Sequence, residues 1–240
     1  MLPAFSLIIP AFNEAERIGD TVAEVLRFLR ETSPESELIV VDDGSADATS
    51  EIVRNGFASV SKVATRLVRH PSNHGKGYAV RAGLAEATRP VALFSDADLS
   101  TPIEEAPKFL EPIFAGELDV TFGSRALDRR LIGTRQAWYR EQGGRLFNLL
   151  VRIGTGLPYW DTQCGFKAFR LDVFRPILQK ARSDGFGFDV ELLYLAERAG
   201  LRLREIPVRW NHCEGSKVRF VPDSLKMLRE IVELRMRPVS

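Results

Sequence analysis

Two carboxylates separated by one residue close an apolar run in Val91-Ala-Leu-Phe-Ser-Asp-Ala-Asp98. Hard oxygen donors in this arrangement suit Mg²⁺ or Mn²⁺, which keep several waters and share phosphate oxygens with a substrate. A nucleoside diphosphate offers such oxygens, so Asp96 and Asp98 are candidate metal ligands. The plainer role is helix capping, since Ser100-Thr-Pro102 is itself a good helix start. A second acidic pair, Asp42-Asp43, follows Leu38-Ile-Val-Val41; Gly44 permits a tight turn, and Ser45 or Asp47 can cap the next helix. Two adjacent carboxylates at one strand end cannot both cap. One is left to accept hydrogen bonds from a base or ribose, as an acidic residue does in dinucleotide sites. On this reading Asp43 contacts the ligand and adds little to the fold, because Gly44 and Ser45 keep the turn. A third cluster, Ile9-Pro-Ala-Phe-Asn-Glu14, stands where a dinucleotide fold has a glycine-rich turn. Pro10 and Glu14 argue against NAD or FAD, and no Gly-x-x-x-x-Gly-Lys-[Ser/Thr] sequence is present.

Each cluster ends an apolar run, and the runs alternate with amphipathic stretches. Ser6–Ile9, Leu38–Val41, Arg66–Arg69, Val91–Phe94 and Asp119–Phe122 read as strands; Ala15–Arg30, Ala48–Asn55, Gly77–Ala87 and Ile103–Phe114 read as helices. Continuous aliphatic strands between helices predict an α/β fold, a doubly wound, mostly parallel sheet covered on both faces. Ligands then lie beyond the carboxyl ends of the strands, where all three clusters fall. After Arg125 the pattern changes. Asp128–Gln142 is basic and loop-like, Gly143–Ile153 is an amphipathic helix, Gly154–Pro158 a turn, and a mixed stretch runs to about Arg209 before a basic helix, Ser224–Arg237. The division is a nucleotide-sugar half, residues 1–127, and a helical acceptor-side half, residues 128–240, within one continuous domain.

Bulk composition excludes several classes. The 240 residues carry 33 Lys plus Arg against 32 Asp plus Glu, a net charge of +1, without the basic excess of a nucleic-acid protein. Two cysteines, Cys164 and Cys213, are too few for a disulfide framework and fit a reducing compartment. Their spacing to His70, His74 and His212 matches no usual zinc ligand set. The start of the chain has no basic n-region, and no apolar run approaches the ~20 residues of a membrane-spanning helix. The expectation is a cytoplasmic protein, in contact with a membrane at most peripherally.

At the three strand ends the sequence resembles family 2 glycosyltransferases of the GT-A fold, through Ile9-Pro-Ala-Phe-Asn-Glu14, Val41-Asp-Asp-Gly-Ser45 and Asp96-Ala-Asp98. The resemblance continues through Asn73-His-Gly-Lys-Gly-Tyr78, Gly123-Ser-Arg125, Asp161-Thr-Gln-Cys-Gly-Phe-Lys-Ala-Phe169, Phe188-Asp-Val-Glu191 and Glu214-Gly-Ser-Lys217. These later stretches look like the branch that glycosylates polyprenyl phosphates, dolichyl-phosphate glucosyltransferases ahead of dolichyl-phosphate mannose synthases. The resemblance implies that Pro10, Ala11, Glu14, Val41 and Asp43 hold base and ribose, with Lys76 also on the donor. It implies that Asp96 meets the ribose-phosphate end and that Asp98, with Asp96, binds Mg²⁺ or Mn²⁺. Arg125 and Lys217 would neutralise phosphate, and Asp161 would sit near the reacting centre. Ser100 stands where mannose synthases carry Gln, which leaves open a second protein ligand to the metal.

Charge chemistry supports the cationic roles independently. Glycosyl transfer leaves negative charge on the departing diphosphate, which a metal and Arg or Lys stabilise in a water-poor cleft. An acceptor that is itself a phosphate is already ionised, and Arg125, Lys167, Lys217 and Arg219 supply positive charge for it. The expected activity is inverting transfer of a hexose, glucose ahead of mannose, from UDP-glucose or GDP-mannose to a polyprenyl phosphate. One alternative keeps the fold and uses a soluble alcohol acceptor, with Asp161 or Asp189 as general base. Another is a nucleotide-sugar-binding protein without turnover. Asp189 and Glu191 otherwise read as an acid/base pair, or as one cap and one solvent-facing carboxylate. His70 or His74 would lie near the donor cleft; Trp210 reads as core, while Trp138 and Trp160 suit a sugar or a membrane interface. In the helix Gly143–Ile153, the residues Leu146, Phe147, Leu149, Leu150 and Ile153 share one broad face flanked by Arg145 and Arg152, as in helices that lie on anionic lipid. Leu225, Leu228, Ile231, Val232 and Arg235 repeat the period in the last helix, where packing on the sheet is the stronger reading.

Overall fold

The computed structural model describes residues 1–58, 62–134, 138–213 and 220–236, with backbone alone for 138–141 and 220–225. The strands are β1 (Ser6–Ala11), β2 (Glu37–Asp42), β3 (Ala64–Arg69), β4 (Val91–Ser95), β5 (Val120–Ser124), β6 (Phe166–Arg170) and β7 (Leu203–Pro207). The helices are α1 (Ile18–Thr32), α2 (Thr49–Ala58), α3 (Lys76–Glu86), α4 (Ala106–Phe114), α5 (Trp138–Thr155), α6 (Leu171–Lys180), α7 (Phe188–Arg198) and α8 (Phe220–Met236). Among the described residues the strands form one seven-stranded sheet in the order β3-β2-β1-β4-β6-β5-β7.

Every residue of β1, β2, β4 and β5 is buried, as strands covered on both faces require. Alternate side chains feed two cores. Leu7, Ile9, Leu38 and Val40 join α1, α2 and α4 on one face; Ile8, Ile39 and Val41 join α3 and α5 to α8 on the other. The expected doubly wound, mostly parallel α/β sheet is borne out. One finding departs from a purely sequential strand order: β6 lies between β4 and β5 and runs antiparallel to both. The stretch read as mixed therefore holds β6, α6, α7 and β7. The lysine second in Phe166-Lys-Ala-Phe-Arg170 interrupts the apolar run that marks a buried strand, and β7 carries Arg204 and Glu205.

The helix expected from Gly143 begins at Trp138, so part of the expected basic loop is helical. The glycine pair Gly143-Gly144, a local cost of about 1 kcal/mol per residue, is carried inside the helix. Packing offsets that cost: Phe147 and Val151 are buried in one core with Met227, Ile231 and Leu234 of α8. This corrects the expected lipid face. Phe147 turns inward, while Leu146, Leu149, Leu150 and Ile153 stay exposed (59, 49, 40 and 67%). Ile231 is buried and Leu228 is partly buried, with Val232 left outside; the last helix packs chiefly on α5 and α7 rather than on the sheet itself. No helix among the described residues is long and apolar enough to cross a membrane.

Candidate active site

The first two crossovers run over one face through α1 and α2, and α3 returns over the other to bring β4 beside β1. The connection thus reverses at the carboxyl ends of β1 and β4, the place where open α/β sheets bind ligands. A cleft of ≈ 550 Å³ opens there, within the range of small-molecule sites. Pro10, Ala11, Glu14, Asp43, Lys76, Asp96 and Asp98 all line it. Val41 does not: its side chain is buried, close against Gly83 of α3.

The first two loops are laced together. Asn13 donates its N–H to Ser45 Oγ (2.8 Å) and accepts from the N–H of Ala46 (2.8 Å). Glu14 N–H donates to Thr49 Oγ1 (2.8 Å), and Glu14 pairs with Arg17 (2.8 Å). The adjacent aspartates divide their work. Asp42 is the internal cap, accepting from Ser45 N–H (2.9 Å) and from the Ser50 hydroxyl. Asp43 accepts from the N–H of Gly75 (2.7 Å), the N–H of His74 (3.1 Å) and His70 Nδ1 (2.9 Å). Its expected indifference to the fold is therefore corrected: the carboxylate holds the loop that delivers Lys76. Gly44 makes the close approach possible, since a Cβ there would lie 2.3 Å from the Ser72 backbone, and its φ is +75°. His74 lines the cleft, stacked on Tyr78 (4.6 Å between centroids), and His70 stands behind Asp43.

At the end of β4, Lys76 Nζ lies 2.6 Å from Asp96 Oδ1. Burial opposes the Lys76 charge, but Asp96 first, then Asp189 and Asp98, raise its pKa above the ordinary lysine value. Asp98 accepts from Ser100 N–H (2.9 Å), so the capping role is real, yet it also lines the cleft. The turn places Leu99 at φ 45°, a left-handed conformation that costs a branched residue about 1 kcal/mol or more. No group of three or more His, Cys, Asp or Glu converges among the described residues. Two carboxylates on one wall match an ion that completes its shell with phosphate oxygens and water, so the residues fit Mg²⁺ or Mn²⁺.

Arg125 and Asp161 are brought together, though neither lines the cleft. The guanidinium grips the carboxylate through Nε (2.7 Å) and Nη2 (2.9 Å), and Arg125 N–H adds a third bond (3.0 Å). Burial would push the Asp161 carboxyl up, but Arg125 overrides it and holds the carboxyl below the ordinary range. Arg125 also lies over Trp210 (5.7 Å), which is buried as expected. Asp161 is fixed from β7 as well, its N–H donating to Glu205 (2.8 Å). Arg125, expected to neutralise phosphate, has its guanidinium engaged by Asp161 in this structure. Lys217 and Arg219 lie outside the described residues.

Comparison with known proteins decides the family. Residues 6–178 match the model described as glycosyl transferase family 2. The chain belongs to that family. The glycosyltransferase is 35% identical to a dolichyl-phosphate beta-glucosyltransferase of Drosophila melanogaster over 97% of this chain and 74% of the relative. It is 31% identical to an enzyme of the same description from Dictyostelium discoideum, again over 97% of this chain and 74% of the relative. Its fold matches glucosyl-3-phosphoglycerate synthase from Mycobacterium tuberculosis in complex with Mn²⁺, UDP-glucose and phosphoglyceric acid: TM-score 0.70, 20% identity, 99% of this chain and 81% of that one.

Other expected groups in this glycosyltransferase are not at the cleft. Lys167 is fully buried and paired with Asp189 (2.5 Å), which corrects its assignment to acceptor phosphate. Asp189 and Glu191 are both buried; Glu191 accepts from the N–H of Ser183 (2.6 Å), so neither faces solvent and they form no acid/base pair. Sequence reasoning missed Phe186, Lys226, Met227 and Glu230, which close the cleft from the second half of the chain. The flexible-looking Gly185-Phe-Gly187 was the available signal, and only the packing of α8 brings the rest there.

Proposed function

We propose that this glycosyltransferase moves glucose, with inversion, from a nucleoside-diphosphate donor to a polyprenyl (dolichyl-type) phosphate, UDP-glucose being the donor ahead of GDP-mannose. Two relatives that match 97% of this chain are described as dolichyl-phosphate beta-glucosyltransferases, which supports the sugar and the acceptor. The observation that carries the acceptor class is the state of Asp161 and Asp189. A hydroxyl acceptor needs a general base at the cleft, and neither carboxylate lines it: Asp161 is paired with the partly exposed Arg125 and Asp189 with the fully buried Lys167. A phosphate acceptor is ionised already. In this reading residues 1–127 hold the donor, and Phe186, Met227 and their neighbours from 128–240 form the acceptor side.

Pro10, Ala11, Glu14 and the loop held by Asp43 orient the base and ribose. Lys76 bears on the diphosphate beside Asp96. A Mg²⁺ or Mn²⁺ held by Asp98 with Asp96 would supply charge stabilisation to the leaving diphosphate. The Arg125–Asp161 pair shapes the far side without taking a proton, since its carboxylate stays ionised.

The same reading sets the protein peripherally on the cytoplasmic face of a membrane, where a polyprenyl tail resides. Leu146, Leu149, Leu150 and Ile153 follow at i, i+3, i+4 and i+7, and Arg152 lies 4.0 Å over the exposed Trp160 ring. The experiment is Asp98→Ala with a chelator control. Transfer should fall by at least ~10²-fold, the loss typical of a key electrostatic contact. Near-full activity of that variant in chelator would sink the metal assignment.

A further inference from the structure

Lys167 is the second residue of β6, fully buried and opposite Phe94 of β4 across the antiparallel ladder. An ammonium stripped of water requires partners. It has three: Asp189 Oδ1 at 2.5 Å, the carbonyl of Cys164 at 2.6 Å and the Phe94 ring at 5.4 Å. Stability alone does not account for such a pair, because well-packed apolar side chains in the same space are often as stabilising or more so. The next contacts suggest what the pair does. The Cys164 carbonyl that Lys167 grips belongs to the turn whose next carbonyl, that of Gly165, accepts the Asp96 N–H (3.1 Å). The Asp96 carboxylate rests on the same turn: a Cβ on Gly165 would lie 2.0 Å from Asp96 Oδ2.

We propose that Lys167 is a positioning residue for Asp96, acting from beneath the cleft through the Cys164-Gly165 turn, with Asp189 as its counterion. It acts on the functional reading above, in which Asp96 meets the donor's metal-bound diphosphate. Asp189 also faces Lys76, to whose raised pKa it contributes. By engaging Asp189, Lys167 leaves Lys76 to Asp96.

The test uses K167M/D189N, which removes both charges at nearly constant volume, and compares two ligands by calorimetric titration. UDP with Mn²⁺ depends on the Asp96 end of the cleft; UMP in chelator depends on the base and ribose end. The variant should bind UDP with Mn²⁺ about tenfold more weakly (~1.4 kcal/mol) while its UMP affinity stays within about twofold. Equal weakening of both ligands, or unchanged UDP affinity, overturns the proposal, since a merely structural role does not distinguish the two. G165A probes the same contact should the double variant not fold: selective loss of UDP with Mn²⁺ supports the turn's role, and equal loss or none overturns it. A wild-type protein that binds neither UDP nor GDP with Mn²⁺ overturns the functional reading itself, and this inference with it.

Discussion

A carboxylate does what its donors leave it free to do. Asp42 and Asp43 are neighbours in sequence with opposite surroundings, one capping its own turn and one reaching a loop about thirty residues on. The sequence marked both as candidates; it could not apportion them, because the donors to Asp43 lie on the segment before α3. The same holds for Arg125 and Asp161, each legible as chemically capable and neither legible as the other's partner. By contrast Asp96 and Asp98 needed only a strand and its end, and both stand at the cleft. Asp43→Asn should lower stability by ~1–3 kcal/mol, because bonds to a buried, charged acceptor lose their charge and one oxygen. Denaturant melts check this. An unchanged midpoint would return Asp43 to a ligand-only role.

At the scale of elements, strands built on an apolar run were readable, and those interrupted by charged residues in the second half of the chain were not. β1, β2 and β4 announce themselves; β6 is hidden by Lys167, the residue that its buried site retains. The face of α5 was legible as amphipathic, but its rotation depended on α8. Phe147, the largest side chain on that face, packs inward, and the smaller aliphatics stay out. Vesicle binding should therefore respond to L146E/L150E rather than to a change at Phe147. In flotation with anionic liposomes, that variant should lose binding while its melting curve and nucleotide affinity stay unchanged. Retained flotation would remove α5 from the membrane interface. Added salt should weaken wild-type binding, since arginines at such a face act through screened attraction.

For the molecule as a whole, the two halves of the chain share one sheet, and β7 closes it against β5. Asp119, just before β5, is clasped there by Arg202 (2.9 Å) and Arg170 (3.0 Å). The Arg202 hydrogen bond lowers the Asp119 pKa below the ordinary carboxylate value; burial opposes the shift without reversing it. A depressed folded-state pKa gives stability that is present above the unfolded value, near 3.9, and is lost as pH falls through the folded one. Wild-type protein should thus lose more stability than Asp119→Asn between neutral pH and pH 3, as measured by melting temperature. Parallel losses would show that the clasp carries no charge-dependent stability.

A metal-assisted donor cleft and an ionised lipid phosphate acceptor meet in one reaction, so one product measurement tests both at once. Purified protein is incubated with UDP-glucose, Mn²⁺ and a polyprenyl phosphate, and the lipid is followed by mass spectrometry. The expected product is a polyprenyl phosphate carrying one hexose, formed with release of UDP, lost on chelation and formed more slowly from GDP-mannose. Glucose appearing on a water-soluble alcohol, with none on the lipid phosphate, would contradict it.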